Sequence, residues 1–375
     1  MNFLEALPAS LANRLNQLKT VLAAHTKRAY LVGGCVRDIL LGIEVKDIDI
    51  EVYDISPEAF SKLMDQIGAV GVGKSFFVYK WHKIDIALAR KENKVSTGHR
   101  GFEVTVCQDE KVASMRRDFT CNALMVGLFD GKVLDFWGGI EDLKALRLRH
   151  IDDKMFGEDS LRVLRAVQFS ARFGFKISKK TLEIMKKLDL KELSQTRITW
   201  ELQKLFLGEY YTNGVFALCK LNLFESVLHV KLSPNQARHL AKMLHKYKKN
   251  VPKNLKPYYW LFCFFSVTKI DPKPFLAHLG LGREYERVFV NVPLGNPNMS
   301  DFELLKVAMD RPLNSWIGIC YDGFAKRAKE LGVYEKPFDG GVDVQSVIQD
   351  GFKNKEIGIE YKRRILEAAK KRVDS

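Results

Sequence analysis

The chain has few cysteines and none of them are paired in sequence. Six (Cys35, Cys107, Cys121, Cys219, Cys263 and Cys320) are scattered over 375 residues, and no C-x-x-C occurs. Zinc knuckles and disulfide frameworks need clustered or regularly spaced thiols, so neither is expected, and a reducing cytoplasm is the compartment that fits. No basic-then-apolar leader opens the sequence. The most apolar run, YYWLFCFFSV at 258–267, is too short to span a bilayer and reads as a core helix, so no membrane partner is expected. Repeats, low-complexity tracts and the dipeptide His-Asp are all missing. Acid is missing locally: residues 226–270 contain no Asp or Glu but nine Lys and Arg.

What is present points to a large, basic, globular protein. The length suits two to four domains, and a hydrophobic fraction of 46% can fill sizeable cores. Sixty Lys and Arg against 45 Asp and Glu give a net charge of +15, which suits a polyanionic partner, nucleic acid before membrane. The first residues read as an amphipathic helix. AYLVGGCVRDILLG reads as strand, Gly-Gly turn and helix. VKDIDIEVYDI alternates, with Ile48, Ile50 and Val52 on one face and Asp47, Asp49 and Glu51 on the other, the signature of a half-buried strand. In SPEAFSKLMDQIG, Ser56 is the expected N-cap, Pro57 the first helical residue and Gly68 the residue past the end. FFVYKWHKIDIALA and FEVTVCQ are strand-like, and from about Gly157 the period becomes helical. The expected fold is a mixed α/β head over the first third, followed by an all-α remainder.

Two stretches resemble phosphate loops. GAVGVGKS (68–75) matches G-x-x-x-x-G-K-[ST], but a helix precedes it and a strand follows, the reverse of the order a P-loop needs. Gly68 is better read as a helix C-cap and Gly71 and Gly73 as loop residues. LVGGCVRD has the right order: Gly33 and Gly34 lie between a strand and a helix start, where backbone N–H groups can hold phosphate oxygens, and Arg37 is on the first turn. After Gly34 come twelve residues and then Asp47 and Asp49, two apart on a strand and therefore side by side. Such a pair repels unless a cation lies between, and Mg²⁺ takes one or two carboxylates plus substrate phosphates. Asp85 in KIDIALA adds a carboxylate on a neighbouring strand, with Glu51 a competitor for its role. Three carboxylates there could hold two metals for phosphoryl displacement.

Taken in order, LVGGCVRDILLG…KDIDIEV, RRDFTCNAL, DFWGGIEDL and EDSLRVLRAVQFSARFGF resemble the successive motifs of class II tRNA nucleotidyltransferases. These are CCA-adding enzymes and bacterial poly(A) polymerases of the polymerase β superfamily. The resemblance covers residues 30 to about 201, with TRITWEL (196–202) similar to a fifth motif and the C-terminal GFKNKEIGIEYKRRI to a tail helix. It implies that Asp47 and Asp49 bind the metal, Mg²⁺, and that Gly33, Gly34 and Arg37 cradle the triphosphate; Asp85 as third catalytic acid rests on the strand pattern alone. Arg116, Arg117 and Asp118 would meet the incoming nucleotide, with Asn122 in the same stretch. DFWGGIEDL would join head to neck, Asp135 and Asp142 bracing it.

The resemblance also implies that Asp159 and Arg162, with Arg165 nearby, read the incoming base. On a 100° wheel Glu158, Asp159, Arg162, Arg165 and Arg172 share one side of a helix and Leu161, Leu164, Val167 and Ala171 fall largely on the other. That side could be a solvated face of i,i+3 and i,i+4 ion pairs. The chemistry of a template also works: cytosine and adenine present an amino donor beside a ring acceptor, matching a carboxylate and a guanidinium, whereas uracil and guanine present the reverse order. The acid-free stretch, with Lys242, Lys246, Lys248 and Lys249, suits tRNA phosphates, and a second cluster (Lys362, Arg363, Arg364, Lys370, Lys371 and Arg372) closes the chain.

The implied organisation is a nucleotidyltransferase head (1–135), a helical neck with the template helix (136–207), and a helical body (208–290) and tail (291–375) that bind RNA. The implied activity is addition of CCA to tRNA from CTP and ATP. Addition of A or CC alone, or of poly(A), is the alternative within the family; a P-loop ATPase or a non-catalytic RNA-binding protein is the alternative outside it. ALARKENKVSTGHRGFEV resembles the flexible loop of enzymes that add the terminal A, and GKSFFVYK is closer to the CCA-adding type. The missing His-Asp dipeptide argues against the phosphohydrolase domain some relatives carry.

Overall fold

The computed structural model describes residues 3, 5–73, 77–94 and 102–374. They form two compact units, Met1–Ser194 and Gln195–Ser375. The first opens with α1 (Ala9–Leu22), which buries Leu11, Leu15, Leu18 and Leu22 at helical spacing. There follow β1 (Ala29–Val32), α2 (Gly34–Leu40), β2 (Ile48–Val52), α3 (Pro57–Gln66), β3 (Val70–Gly73), β4 (Val78–Trp81), β5 (Ile84–Leu88), β6 (Arg90–Lys94), β7 (Phe102–Val106), α4 (Glu110–Ser114), β8 (Met125–Gly127) and β9 (Val133–Leu134). Seven strands make one sheet, ordered β3-β4-β5-β2-β1-β8-β9, and β6 pairs with β7 apart from it. Within the large sheet β2 and β5 are parallel and the other pairs antiparallel.

The alternation of β2 decides its place. Ile48, Ile50 and Val52 are buried on one face, each side chain contributing roughly 1.5–3 kcal/mol of burial. α3 starts where Ser56 accepts a hydrogen bond from Ala59 N (3.2 Å), with Pro57 in the first turn, and Gly68 past its end has φ +72°. This order, helix and then strand, removes the P-loop reading of GAVGVGKS. Gly71 and Gly73 are in β3, an edge strand with a register shift between them, rather than in a loop. Lys74 and Ser75 lie outside the described residues, as do residues 95–101 of the stretch compared with the flexible loop.

The DFWGGIEDL segment is a brace. Asp135 accepts hydrogen bonds from Gly139 N (2.7 Å) and Ile140 N (3.0 Å) at the start of α5 (Gly139–Lys144). Gly139 lies so close to the 120 carbonyl that a Cβ would stand 2.4 Å from it. Asp142 is fully buried and accepts from Thr120 Oγ1 (2.6 Å), Arg149 Nε (2.9 Å) and Arg147 Nε. The unit ends with α6 (Asp153–Gly157), α7 (Leu161–Phe173) and α8 (Lys179–Met185). Glu158, Asp159 and Ser160 precede α7 instead of extending it, because the Asp159 carboxylate takes the Leu161 N–H (3.1 Å). Leu161 is only half-buried, while Val163, Leu164, Ala166, Val167, Phe169, Ala171 and Phe173 face the core.

The second unit is helical. It begins with α9 (Gln195–Phe206), α10 (Tyr211–Lys220), α11 (Leu223–Ser226), α12 (Pro234–Tyr247) and α13 (Lys256–Thr268) and closes with a helix over Lys355–Asp374. The boundary at Ser194 falls inside the segment read as neck, so α9 belongs to this unit. α13 carries YYWLFCFFSV and is apolar all round, as a central core helix should be. Its Trp260 stacks on Phe206 (4.9 Å between centroids) and on Phe264 (5.2 Å). Among the described residues no helix is long and apolar enough to cross a membrane.

Asp142→Ala removes the acceptor shared by Thr120, Arg147 and Arg149 from a fully buried position. Breaking such a set should cost about 2–4 kcal/mol. Denaturant unfolding of the two proteins checks this, and a loss near zero would mean that the arginines, both partly exposed, carry the brace without it.

Candidate active site

Sheet register assembles the centre of the site. Antiparallel β1 puts Val32 opposite Asp49, and parallel β5 puts Asp85 opposite the same residue. Gly33 then turns the chain into α2 at φ +73°, a conformation that costs glycine least. A Cβ on Gly33 would stand 3.2 Å from Asp49 Oδ2 and 3.1 Å from Arg117 Nη1, so turn, carboxylate and guanidinium are in near contact. Asp47 lies just before β2 and, with Asp49, is open to solvent. Crowding by protein raises the Asp49 carboxyl above its usual value; Asp85 and Asp47 raise it further, and Arg117 and Arg116 oppose them. Asp85 Oδ1 is buried without a hydrogen-bond partner, 3.3 Å from Lys80 Nζ on β4. Among the described residues no three His, Cys, Asp or Glu side chains close into a ready-made metal cage, so the expected trio of Asp47, Asp49 and Asp85 is not gathered at ligand distance.

Behind Asp49 on the same strand face, Glu51 is buried. Its Oε1 accepts from Tyr53 OH (2.7 Å), and its Oε2 accepts from Arg116 Nη2 (2.8 Å) and Arg117 Nη2 (3.1 Å). Burial alone would raise this carboxyl, but the two guanidiniums outweigh it and hold it below the usual range. With both oxygens committed to donors, Glu51 is not turned to a metal.

RRD continues into a buried polar chain. Asp118 Oδ1 accepts from Phe119 N (2.8 Å) and Asn122 Nδ2 (2.8 Å), and Oδ2 accepts from Arg165 Nε of α7 (2.7 Å). Asn122 Oδ1 in turn accepts from Arg37 Nη1 (2.6 Å). Arg37 also donates to Asp38 through Nε (2.9 Å) and Nη2 (2.7 Å), and its guanidinium lies 4.5 Å from the Phe173 ring centroid. It is 5% exposed. These bonds use three of the five N–H groups of the guanidinium. Gly34 sits directly above it, 3.5 Å from an added Cβ to Arg37 Nη2. The Asp118 carboxyl is also held low: burial pushes it up, and Arg165, Asn122 and Arg162 outweigh that.

Asp159 and Arg162, the implied base readers, flank the start of α7, both half-buried. Arg162 donates through Nη1 to the Met155 carbonyl (2.7 Å) and through Nη2 to the Arg116 carbonyl (2.5 Å). Each terminal nitrogen keeps a second N–H for another acceptor. Desolvation lowers the guanidinium's pKa, and Asp118 and Asp159 work against that. Sequence reading missed the structural parts of Glu51, Arg37 and Asn122. The signal for Glu51 was an acid at an interior position of a half-buried strand.

In the second unit α12 exposes Arg238, His239, Lys242, His245 and Lys246 along one side. Lys246 Nζ is 3.3 Å from Asp322 and Lys248 donates to the Glu209 carbonyl (3.4 Å); Lys249 is exposed. These contacts are at the surface and weak. The C-terminal cluster differs: Arg363 and Arg364 both bind Glu360, and Lys362 lies 3.4 Å from Asp310.

Comparison with known proteins gives two family matches: the poly A polymerase head domain over residues 29–149, and the probable RNA and SrmB-binding site of polymerase A over residues 174–237. The multifunctional CCA protein of Pasteurella multocida (strain Pm70) is 42% identical over 230 residues, covering 56% of this chain and 53% of that one. The CCA-adding enzyme of Lactococcus lactis subsp. cremoris (strain MG1363) is 32% identical over 297 residues, 76% of this chain and 71% of the relative. A crystal structure of the Bacillus stearothermophilus CCA-adding enzyme in complex with CTP has the same fold, with a TM-score of 0.71 at 21% identity and 98% coverage of both chains. The chain spans about half the length of the multifunctional CCA proteins it matches.

Glu51 and Asp118 both bind a proton less tightly in the folded protein than an ordinary carboxyl does. Their stabilisation is therefore complete above the ordinary carboxylate range, near pH ~4, and is lost as pH falls through it and below. Unfolding midpoints of wild type should drop steeply on the acid side of that range. Asp118→Asn should start lower and drop less steeply; parallel curves would show that Asp118 is not held low.

Proposed function

The chain belongs to the class II CCA-adding enzyme and poly(A) polymerase family, and we propose that it adds CCA to the 3′ end of tRNA from CTP and ATP. The observation that carries this is the near contact of the Gly33 turn, Asp49 and Arg117, tied through the Arg116 carbonyl and Asp118 to the half-buried start of α7. A triphosphate site and a base-reading site are thereby one connected structure.

Mg²⁺ fits the donor set, which is carboxylate oxygen only. Asp47 and Asp49 would hold it, with substrate phosphates completing its shell, and Asp85, paired at 3.3 Å with Lys80, lies on the neighbouring strand. Bound there, the ion supplies charge neutralisation at the α-phosphate and at the attacking hydroxyl. The chain's own residues do the rest. Backbone N–H groups after Gly33 and the Arg117 guanidinium hold the triphosphate. The terminal 3′-hydroxyl of the RNA gives up its proton to solvent as its oxygen bonds to the α-phosphorus, the bond from that phosphorus to the bridging oxygen breaks, and pyrophosphate leaves. Arg162 donates to N3 of cytosine or N1 of adenine, and Asp159 accepts from the amino group. Uracil and guanine would set a carbonyl against the carboxylate.

The RNA lies along the acid-free part of the second unit, with Lys242, Lys246, Lys248 and Lys249 meeting phosphates. The cytoplasm is the proposed location, consistent with six unpaired thiols.

The defining experiment offers tRNA ending at the discriminator base, C or CC, with CTP and ATP separately and together. Ordered addition of two C and one A supports the reading; growth of an A tail alone would move it to poly(A) polymerase. Asp49→Ala should abolish incorporation and leave tRNA binding nearly intact. Asp159→Ala should lower kcat/KM for CTP and ATP by about 1–3 kcal/mol in activation free energy and relax the exclusion of UTP and GTP; unchanged preference among the four nucleotides would remove Asp159 from the template. Neutralising Lys246, Lys248 and Lys249 together should weaken tRNA binding and flatten its salt dependence, whereas an unaltered slope would show that they only face solvent.

A further inference from the structure

Glu51 occupies a place where a carboxylate needs a reason. It is 2% exposed, in the interior of β2, two residues from Asp49 on the same face. Its neighbours in register are Tyr30 on β1 and Ala87 on β5, neither a cation. A buried carboxylate there is unfavourable unless cations reach it, and Arg116 and Arg117 both do, at 2.8 and 3.1 Å on the same oxygen. Tyr53 OH takes the other oxygen, so the acceptor is fixed from both sides.

The consequence lies in what Arg117 would otherwise do. Its Nη2 is bound to Glu51, while its Nη1 stands 3.1 Å from the point a Gly33 Cβ would occupy; that same point is 3.2 Å from Asp49 Oδ2. One guanidinium is therefore bonded to the buried carboxylate and close enough to the exposed one to act on its charge. Asp49 is the more exposed and the one the proposed metal needs. Without the charge on Glu51, two adjacent guanidiniums would lose their shared counterion, and Asp49 would be the carboxylate in reach of Arg117. An arginine paired with Asp49 would compete with a divalent cation for the same oxygens.

Resting on the function proposed above, we propose that Glu51 is a positioning residue that anchors Arg116 and Arg117 and so keeps Arg117 from closing onto Asp49, leaving that carboxylate open to the metal. Arg116 extends the effect: its side chain is held by Glu51 and its carbonyl holds Arg162. A single acid on the metal-facing strand thus sets both the triphosphate arginines and, through one residue, the base-reading arginine.

The test measures Mn²⁺ binding by water-proton relaxation, alongside kcat and KM for CTP on a tRNA acceptor. Glu51→Gln should bind Mn²⁺ several-fold more weakly and lose on the order of tenfold to a hundredfold in kcat through misplacement. Glu51→Asp, which keeps the charge, should recover Mn²⁺ binding further than kcat. Adding Arg117→Gln to Glu51→Gln should restore Mn²⁺ binding, because the competing guanidinium is gone, although nucleotide affinity is not restored. A bracing role alone would lower the melting temperature and leave Mn²⁺ affinity per folded molecule unchanged; that result overturns the proposal, as does failure of the double variant to recover. If Glu51→Gln does not fold, Arg117→Gln alone decides: equal or tighter Mn²⁺ binding supports the proposal and weaker binding overturns it. Wild-type protein that binds Mn²⁺ but adds no nucleotide would defeat the proposed function while leaving this arrangement standing.

Discussion

Asp118 is the group on which the first unit's site depends. A carboxylate this deeply buried must be paired, because an unmatched charge in the interior is among the costliest defects a fold can carry. Its partners come from three segments: Asn122 in its own turn, Arg165 on α7 and, through Asn122, Arg37 on α2. The Gly33–Gly34 helix, the RRD stretch and α7 are therefore obliged to dock together. A polar chain of this kind has one satisfied arrangement, which gives it directional specificity that apolar packing lacks. The parts of the site proposed to face phosphate and base are positioned by the same buried network.

That arrangement places two different tasks on two different kinds of support. Asp47 and Asp49 stand at the water-facing end of a strand whose other face is core, so their spacing follows from the pleat. Arg162 instead hangs from two backbone carbonyls, Met155 and Arg116, from either side of the connection. Fixing a guanidinium by carbonyls rather than by carboxylates keeps its charge available to a ligand. Under the proposed function, a base that presents the wrong donor order would then meet groups that cannot turn to suit it, the condition under which one hydrogen bond gives large discrimination.

Much of this was legible in the sequence, because it depends on local periodicity. The strand through Ile48, Ile50 and Val52, the cap at Ser56, the end of α3 at Gly68 and the core helix at 258–267 follow from side-chain spacing and turn chemistry. So does the rejection of GAVGVGKS as a P-loop, since element order is a one-dimensional property. What was not legible depends on residues far apart in sequence. Nothing local to Arg37 shows that Asn122, 85 positions away, accepts a hydrogen bond from it. Glu51 reads as one more acid on a polar strand face until Arg116 and Arg117 arrive from another segment. The helical wheel also extended α7 too far, because Asp159 caps the turn rather than continuing it, a choice between local hydrogen bonds that periodicity does not weigh.

If the Arg37–Asn122–Asp118–Arg165 chain positions α7 and with it the proposed base readers Asp159 and Arg162, it acts as one unit in setting nucleotide choice. A double-mutant cycle on Asn122→Ala and Arg165→Ala, read as the ratio of kcat/KM for CTP over UTP, tests it most directly. If the chain is one unit, each single change relaxes the ratio and the double variant is little worse than the worse single, a coupling of about 1 kcal/mol or more. If the two effects simply add, to within about 0.5 kcal/mol, the residues act separately and the account is wrong.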